Sequence, residues 1–232
     1  MIKSKDECYL QSSCKKFCKG NCGEAEATYC PRLSKIDYLY NEALIPIKQR
    51  KRFPLRVDAD GTDKAEFTQL KNAALNIDKF IESGANLFIY SQNCGNGKSS
   101  WAIRLIQSHL ENIWYKTDLR CRALFISVPR YLLAIKNNIS KTDEYAQHIN
   151  RNIFDADIVV FDDIATKGIT QFEAENLFSI IDTRMNMGKS NIFTSNIVPS
   201  QLNELLGPRL TSRIINLSTV IQFRGRDKRG IQ

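Results

Sequence analysis

One stretch constrains this 232-residue chain more than any other: the apolar run NLFIYS at 86–91 leads directly into Gln92-Asn-Cys-Gly-Asn-Gly-Lys-Ser-Ser100, and a helical pattern follows. A short continuous apolar run bounded by turn residues reads as a buried parallel strand. Strand, glycine-rich loop, Gly-Lys-Ser and helix, in that order, make a Walker A phosphate loop. Gly95 and Gly97 free the backbone to turn its N–H groups toward phosphate oxygens, and the helix N-terminus behind them adds a favourable dipole. Lys98 is placed to neutralise β- and γ-phosphates, and the Ser99 hydroxyl to ligate Mg²⁺. The expected cofactors are therefore ATP and Mg²⁺, held by Asn93, Cys94, Gly95, Asn96, Gly97, Lys98, Ser99 and Ser100. The first glycine of the motif is replaced by Gln92, at the loop entrance.

The rest of the chain agrees with that loop. Helical spacing over 64–82 precedes it, with Phe67, Leu70, Ala74, Leu75, Ile77, Phe80 and Ile81 as its apolar residues, and a helix over 98–115 follows. Apolar strands are expected at 123–128, 158–161, 191–195 and 217–223, with helices at 129–137, 142–152, 171–186, 199–205 and 208–215. Strands alternating with helices specify an α/β fold, a mainly parallel sheet covered on both faces. A phosphate loop needs an acid on a neighbouring strand to hold Mg²⁺ and polarise water. The run Asp155-Ala-Asp-Ile-Val-Val-Phe-Asp-Asp163 supplies two. Asp162 is expected beside Mg²⁺, itself a metal-site residue with Ser99, and Asp163 as the general base. The strand 191–195 ends in Thr194, Ser195 and Asn196. Asn196 reads either as a group holding the attacking water or γ-phosphate, or as a turn residue. Arg209 and Arg213 share one helix face at i, i+4. They read either as a solvated, salt-bridged face or as a route to a neighbouring subunit's nucleotide.

GNGKS, VVFDDI, FTSN and GPRLTSRI, in that order and spacing, resemble the AAA+ ATPases of the DnaC/DnaI-type helicase-loader group, bacterial or phage-encoded, over about residues 62–225. The resemblance implies an ASCE P-loop sheet of strand order 5-1-4-3-2 without a C-terminal helical lid. It implies a sensor role for Asn196, an arginine-finger role for Arg213, and Arg209 as a second basic nucleotide-site residue. Asp-Asp in place of the broader family's Asp-Glu implies slow hydrolysis. In similar loaders the segment after the acidic motif touches single-stranded DNA. Here Lys167 supplies charge, Thr170 a phosphate bond and Phe172 either a stacking face or a core residue.

Five of the seven cysteines crowd into the first thirty residues: Cys8, Cys14, Cys18, Cys22 and Cys30. Four thiolates suit tetrahedral Zn²⁺, which would fold a piece too small for its own core. Which four is open, and an iron–sulfur cluster is the alternative metal. Cys94 and Cys121 read as isolated, buried structural thiols. The expected organisation is a cysteine-rich zinc module at 1–45, a basic linker at 46–61 and an ATPase domain at 62–232. By resemblance, the module grips a DnaB-type replicative helicase, and the ATPase self-assembles through its ATP interface.

Net charge is +8, and it is concentrated. Residues 48–56 hold five basic groups and no acid, and residues 224–229 hold four basic groups and Asp227. Either patch suits a polyanion, with a solvated charge run as the alternative. No apolar run reaches the ~18 residues of a spanning helix. The N-terminal MIKSKDECYLQ lacks a signal-peptide core, so a cytoplasmic location without membrane contact is expected, in the bacterial host if phage-encoded. The expected activity is ATP hydrolysis coupled to helicase loading onto single-stranded DNA during replication initiation. A transposition-helper ATPase and a nucleotide-binding adaptor without significant hydrolysis are the alternatives.

Overall fold

The computed structural model describes residues 8–11, 14, 22–23, 30–52, 55–58, 60–137, 143–166 and 168–228. Cys18 and Lys167, both singled out by sequence, lie outside them. Helix α1 spans Pro31–Glu42 and a single turn, α2, spans Ile47–Arg50. Then follow α3 (Lys64–Leu75), α4 (Ile77–Glu82), β1 (Asn86–Tyr90) and α5 (Lys98–Ile113). The middle of the chain gives β2 (Ala123–Ser127), α6 (Val128–Asn137), α7 (Glu144–Asn152) and β3 (Ile158–Asp162). The last part gives α8 (Gln171–Asn186), β4 (Ser190–Ser195), α9 (Leu202–Leu206), α10 (Pro208–Asn216) and β5 (Thr219–Gln222). The expected helix over 64–82 is two helices. At Asn76 the side chain donates to the Asn72 carbonyl (3.0 Å), a local bond that competes with the helical ladder.

The five strands form one sheet of order β2-β3-β4-β1-β5, and every pairing is parallel. Strand residues alternate between the two faces. Leu87, Ile89, Phe125, Val160, Ile192 and Ile221 pack on one side with α1, α3 and α5. Phe88, Leu124, Ile126, Val159, Phe161 and Phe193 pack on the other with α6 to α10. Phe161 stacks on Phe193 at 5.4 Å between centroids, and both are fully buried. Truncating either would cost about 3–5 kcal/mol. At the opposite end of the sheet from the phosphate loop, the buried Arg184 guanidinium ties α8 to the carbonyls of Ile153, Ala156 and Ser190 and to Asn191.

Helix α1 is part of this body. Proline at its start suits the first helical turn, where no N–H partner exists. Leu33, Ile36, Leu39 and Tyr40 are buried against the α5 side of the sheet. The Tyr40 hydroxyl donates to Glu111 of α5 (2.7 Å), and Phe125 of β2 donates its N–H to the Ala43 carbonyl (2.8 Å). The basic linker is correspondingly less exposed than its composition suggests. Arg50 turns back on Asp37 (2.7 Å), and Arg52 on the buried Glu111 (2.9 Å). Pairing with buried or half-buried carboxylates takes two of its five cations out of the solvated run.

Candidate nucleotide site

The phosphate loop leaves β1 at the carboxyl end of the sheet, where parallel α/β folds place ligands. Gly95 (φ 71°) and Gly97 (φ 101°) adopt the left-handed backbone that a side chain would strain. Ser91, buried at the end of the strand run, anchors the loop from below. Its hydroxyl accepts from the Asn96 amide (2.6 Å) and from the Asn93 N–H (3.0 Å). Asn96 is fully buried, so its side chain scaffolds the loop. The Lys98 ammonium, also buried, donates to the Asn93 carbonyl (3.0 Å) and to Asn96 Oδ1 (3.3 Å). Cys94, expected to be a buried thiol, is exposed because it lies in the phosphate loop and not in the core; Ser100 is exposed too, and Ser99 is half-buried.

The acidic strand β3 brings its carboxylates to the same edge. Asp162 accepts hydrogen bonds from Thr194 Oγ1 (2.6 Å) and from the Ser99 hydroxyl, with Lys98 close enough for its charge to act. Burial pushes the Asp162 carboxyl above its ordinary range. Neighbouring Asp163 adds to that, and the Thr194 and Ser99 bonds with the Lys98 charge offset only part of it. A divalent cation between Ser99 and Asp162 would satisfy a carboxylate that burial makes costly. Asp163 sits at φ 55°, uncommon outside glycine. Its N–H donates to Thr194 Oγ1 (3.0 Å), and its carboxylate accepts from the Asn196 amide (3.1 Å). Thr194 thus holds both acids at once. Sequence reading noted it only as part of a polar strand end, and the signal was there: a hydroxyl in a buried strand beside an acidic one.

A family model described as the bacterial DnaA ATPase domain matches residues 64–219. The chain belongs to that family. This DnaA-type domain has the AAA+ arrangement, a P-loop after a strand of a five-stranded parallel sheet, with one strand between it and the acidic strand. Among solved structures it is similar to the DnaC helicase loader, at 16% identity and TM-score 0.57, covering 80% of this chain and 98% of that one. It is similar to DnaI at 18% identity and TM-score 0.56, covering 82% and 100%. A third likeness is to a protein named as a primosome component from Streptococcus pyogenes serotype M3, with 20% identity, TM-score 0.59 and coverage of 83% and 98%. At such identities the likeness establishes the fold, which is that of the DnaC/DnaI-type loaders. No curated protein sequence matches the chain.

The remaining sequence-singled residues of the DnaA-type domain fall in two places. Arg213 of α10 pairs with Asp182 of α8 (N···O 2.6 Å), and the Arg209 guanidinium lies 4.6 Å over the Phe178 ring of the same helix. Both arginines turn onto α8. Among the described residues no hydrogen bond or ion pair joins either to the chain's own phosphate loop. Thr170 caps α8: its hydroxyl accepts from the Glu173 N–H, while Glu173 accepts from the Thr170 N–H (2.7 Å) and hydroxyl (2.8 Å). That capping box already employs both polar groups of Thr170. Phe172, the second residue of α8, is 53% exposed, so the alternative of a core residue does not hold for it.

At the N-terminus, Cys8, Cys14, Cys22 and Cys30 are half-buried and form no disulfide. Burial raises the Cys8 thiol pKa, and the other three thiols lie near enough to add to that. Among the described residues no three cysteine, histidine or acidic side chains form a group that could hold a metal ion. These four thiols are of a type that binds zinc, but among the described residues they form no cage. Cys121 is buried and donates to backbone carbonyls, its pKa pushed up to about 12 by burial, as suits a structural thiol. Among the described residues no helix is long and apolar enough to cross a membrane.

Proposed function

We propose that this DnaA-family ATPase is a loader that places a hexameric, DnaB-type replicative helicase on single-stranded DNA during replication initiation. The observation that carries the ATPase half is the convergence of Lys98, Ser99, Asp162, Asp163 and Asn196 at one sheet edge, with both acids held by Thr194. In this reading the loop N–H groups from Asn93 to Ser100 bind the phosphates, and Lys98 leaves its loop acceptors for the β- and γ-oxygens. Ser99 and Asp162 would hold Mg²⁺, which would supply charge neutralisation at the transferred phosphoryl group. Asp163 accepts a proton from water positioned by Asn196. Arg213, with Arg209 behind it, would exchange Asp182 for the nucleotide of a neighbouring copy, so turnover would require self-assembly.

The loader half is supported by the resemblance of this chain to solved proteins named as a helicase loader and a primosome component, each covered over 98% of its length. Because α1 packs into the ATPase core, the helicase-gripping zinc module is proposed to end near Cys30, short of the boundary at 45. Its ligands would be four of Cys8, Cys14, Cys18, Cys22 and Cys30. Lys167 and Phe172 would contact DNA, with Thr170 setting the helix that presents Phe172. A cytoplasmic location follows from the same reading.

The test is co-purification of the full chain with the host's replicative helicase, and ATP turnover with helicase and single-stranded DNA present. Complex formation that is lost on deleting residues 1–29, with turnover lost in Lys98→Ala, is the expected result. A folded protein that binds transposase and duplex DNA instead would establish the transposition-helper reading. Helicase binding without turnover in any condition would establish the adaptor.

A further inference from the structure

The last described residues return to the phosphate loop. After the buried Phe223, the N–H groups of Arg224 and Gly225 both donate to the Asp63 carboxylate, at 2.8 Å each. A Cβ on Gly225 would lie 2.7 Å from oxygens of both Asp58 and Asp63, so a side chain there would have to displace these carboxylates. From the loop side, the Asn93 amide donates to the carbonyls of Arg224 (3.0 Å) and Gly225 (3.2 Å). Lys228 donates its N–H to the Gly95 carbonyl (3.0 Å), and its ammonium reaches the Arg56 carbonyl (2.7 Å) and Asp58 (3.5 Å). The same ammonium lies 4.8 Å over the Phe67 ring. Between these anchors the Asp227 carboxylate rests on Gly95: a Cβ built there would be 1.7 Å from Asp227 Oδ1. Asn93 and Gly95, which the sequence assigns to the nucleotide, are thus both engaged by the tail.

We propose that residues 224–228 form a strap across the phosphate loop that sets nucleotide affinity through the Asp227 carboxylate. The proposal rests on the nucleotide-site reading above and deepens it. A phosphate loop concentrates backbone N–H groups and a helix dipole on one small volume, and that field favours any anion. Asp227 places a fixed negative charge against the loop, where incoming phosphates must add several more of the same sign. Nucleotide binding therefore lifts the strap or bears the repulsion. The other end of the strap is bonded to residues 56–63, the segment that leads to the N-terminal region. Lifting it releases Asp63, Asp58 and the Arg56 carbonyl together. Whatever pulls on that segment changes ATP affinity, and ATP in turn loosens the segment.

The experiment is titration of the full chain with a fluorescent ATP analogue and Mg²⁺, comparing wild type, Asp227→Asn, Asp63→Asn and Lys98→Ala. Asp227 is exposed, so Asn preserves the fold and shape while removing the charge. Asp227→Asn is expected to bind about five- to tenfold tighter, the scale of one like-charge contact a few ångströms apart in water, as suits an exposed carboxylate. That gap should narrow in high salt. Asp63→Asn, which weakens two charge-assisted anchors, should move in the same direction. Lys98→Ala sets the background. Wild-type binding that Asp227→Asn leaves unchanged or weakens would overturn the strap alone. If folded wild type and Asp227→Asn both match the Lys98→Ala background, the nucleotide site and the strap fall together.

Discussion

Thr194→Val removes one hydroxyl and almost no volume, yet that hydroxyl serves both acids of the site. It donates to the Asp162 carboxylate at 2.6 Å and accepts from the Asp163 N–H at 3.0 Å, in a residue that is fully buried. A hydrogen bond to a charged group contributes about 1.5–3 kcal/mol, and a buried N–H left without a partner costs about 1–3 kcal/mol. Asp162 is only half-buried and keeps the Ser99 bond, so the lower ends apply. The expected loss is about 2.5 kcal/mol, or about 0.8–1.3 M in urea midpoint at a slope of about 2–3 kcal/mol/M. Thr194→Ser, which keeps the hydroxyl, should lose much less. Urea unfolding followed by far-UV circular dichroism, without nucleotide, measures both. A Val variant within about 0.3 M of wild type, taken as under 1 kcal/mol at the same slope, would show that Thr194 is not the brace for the two carboxylates.

Three further outcomes follow from the site. The folded pKa of Asp162 lies above its unfolded value, so its ionised form destabilises the fold above that folded pKa, and the cost vanishes below the unfolded value near about 4. Asp162→Asn should therefore raise the melting temperature of the nucleotide-free protein at pH 7.5 by about 2 °C or more and leave it unchanged near about pH 3.5, while weakening Mg²⁺-dependent ATP binding; a lower melting temperature at pH 7.5 contradicts the burial argument. Arg213→Ala should retain ATP binding and lose the turnover that grows with protein concentration; undiminished turnover would leave Arg213 as a surface partner of Asp182 only. Phe172→Ala should leave the urea midpoint unchanged and weaken single-stranded DNA binding by about 1–3 kcal/mol, whereas Thr170→Ala should cost about 1 kcal/mol of stability through the lost cap. Equal DNA affinity for wild type and Phe172→Ala removes the stacking role.

Much of the nucleotide site is legible in the residue string because its parts are local. A strand, a glycine-rich turn and a helix start lie within fifteen residues, and β3 ends on adjacent carboxylates, so backbone periodicity and turn chemistry suffice to read them. The break at Asn76 was not legible, since it turns on one side-chain bond inside an otherwise helical pattern. Arg50 and Arg52 looked like solvated charge because their acceptors, Asp37 and Glu111, lie on other elements.

By itself, then, the sequence determined the order of elements, the parallel sheet and the placing of the strand–loop–helix motif and of the strand that ends on two carboxylates. Tertiary structure alone decided that Thr194 braces residues 31 and 32 positions away, that α1 belongs to the ATPase core, and that Arg224 meets Asn93 across 131 residues. The physical reason is the reach of the interactions. Periodicity and turn preference act over a few residues, whereas the pairing of a hydroxyl, a buried carboxylate or a tail with its partner is set by which strands the sheet makes neighbours. The order β2-β3-β4-β1-β5 puts β4 between the acidic strand and the loop strand, and the braces follow from that adjacency.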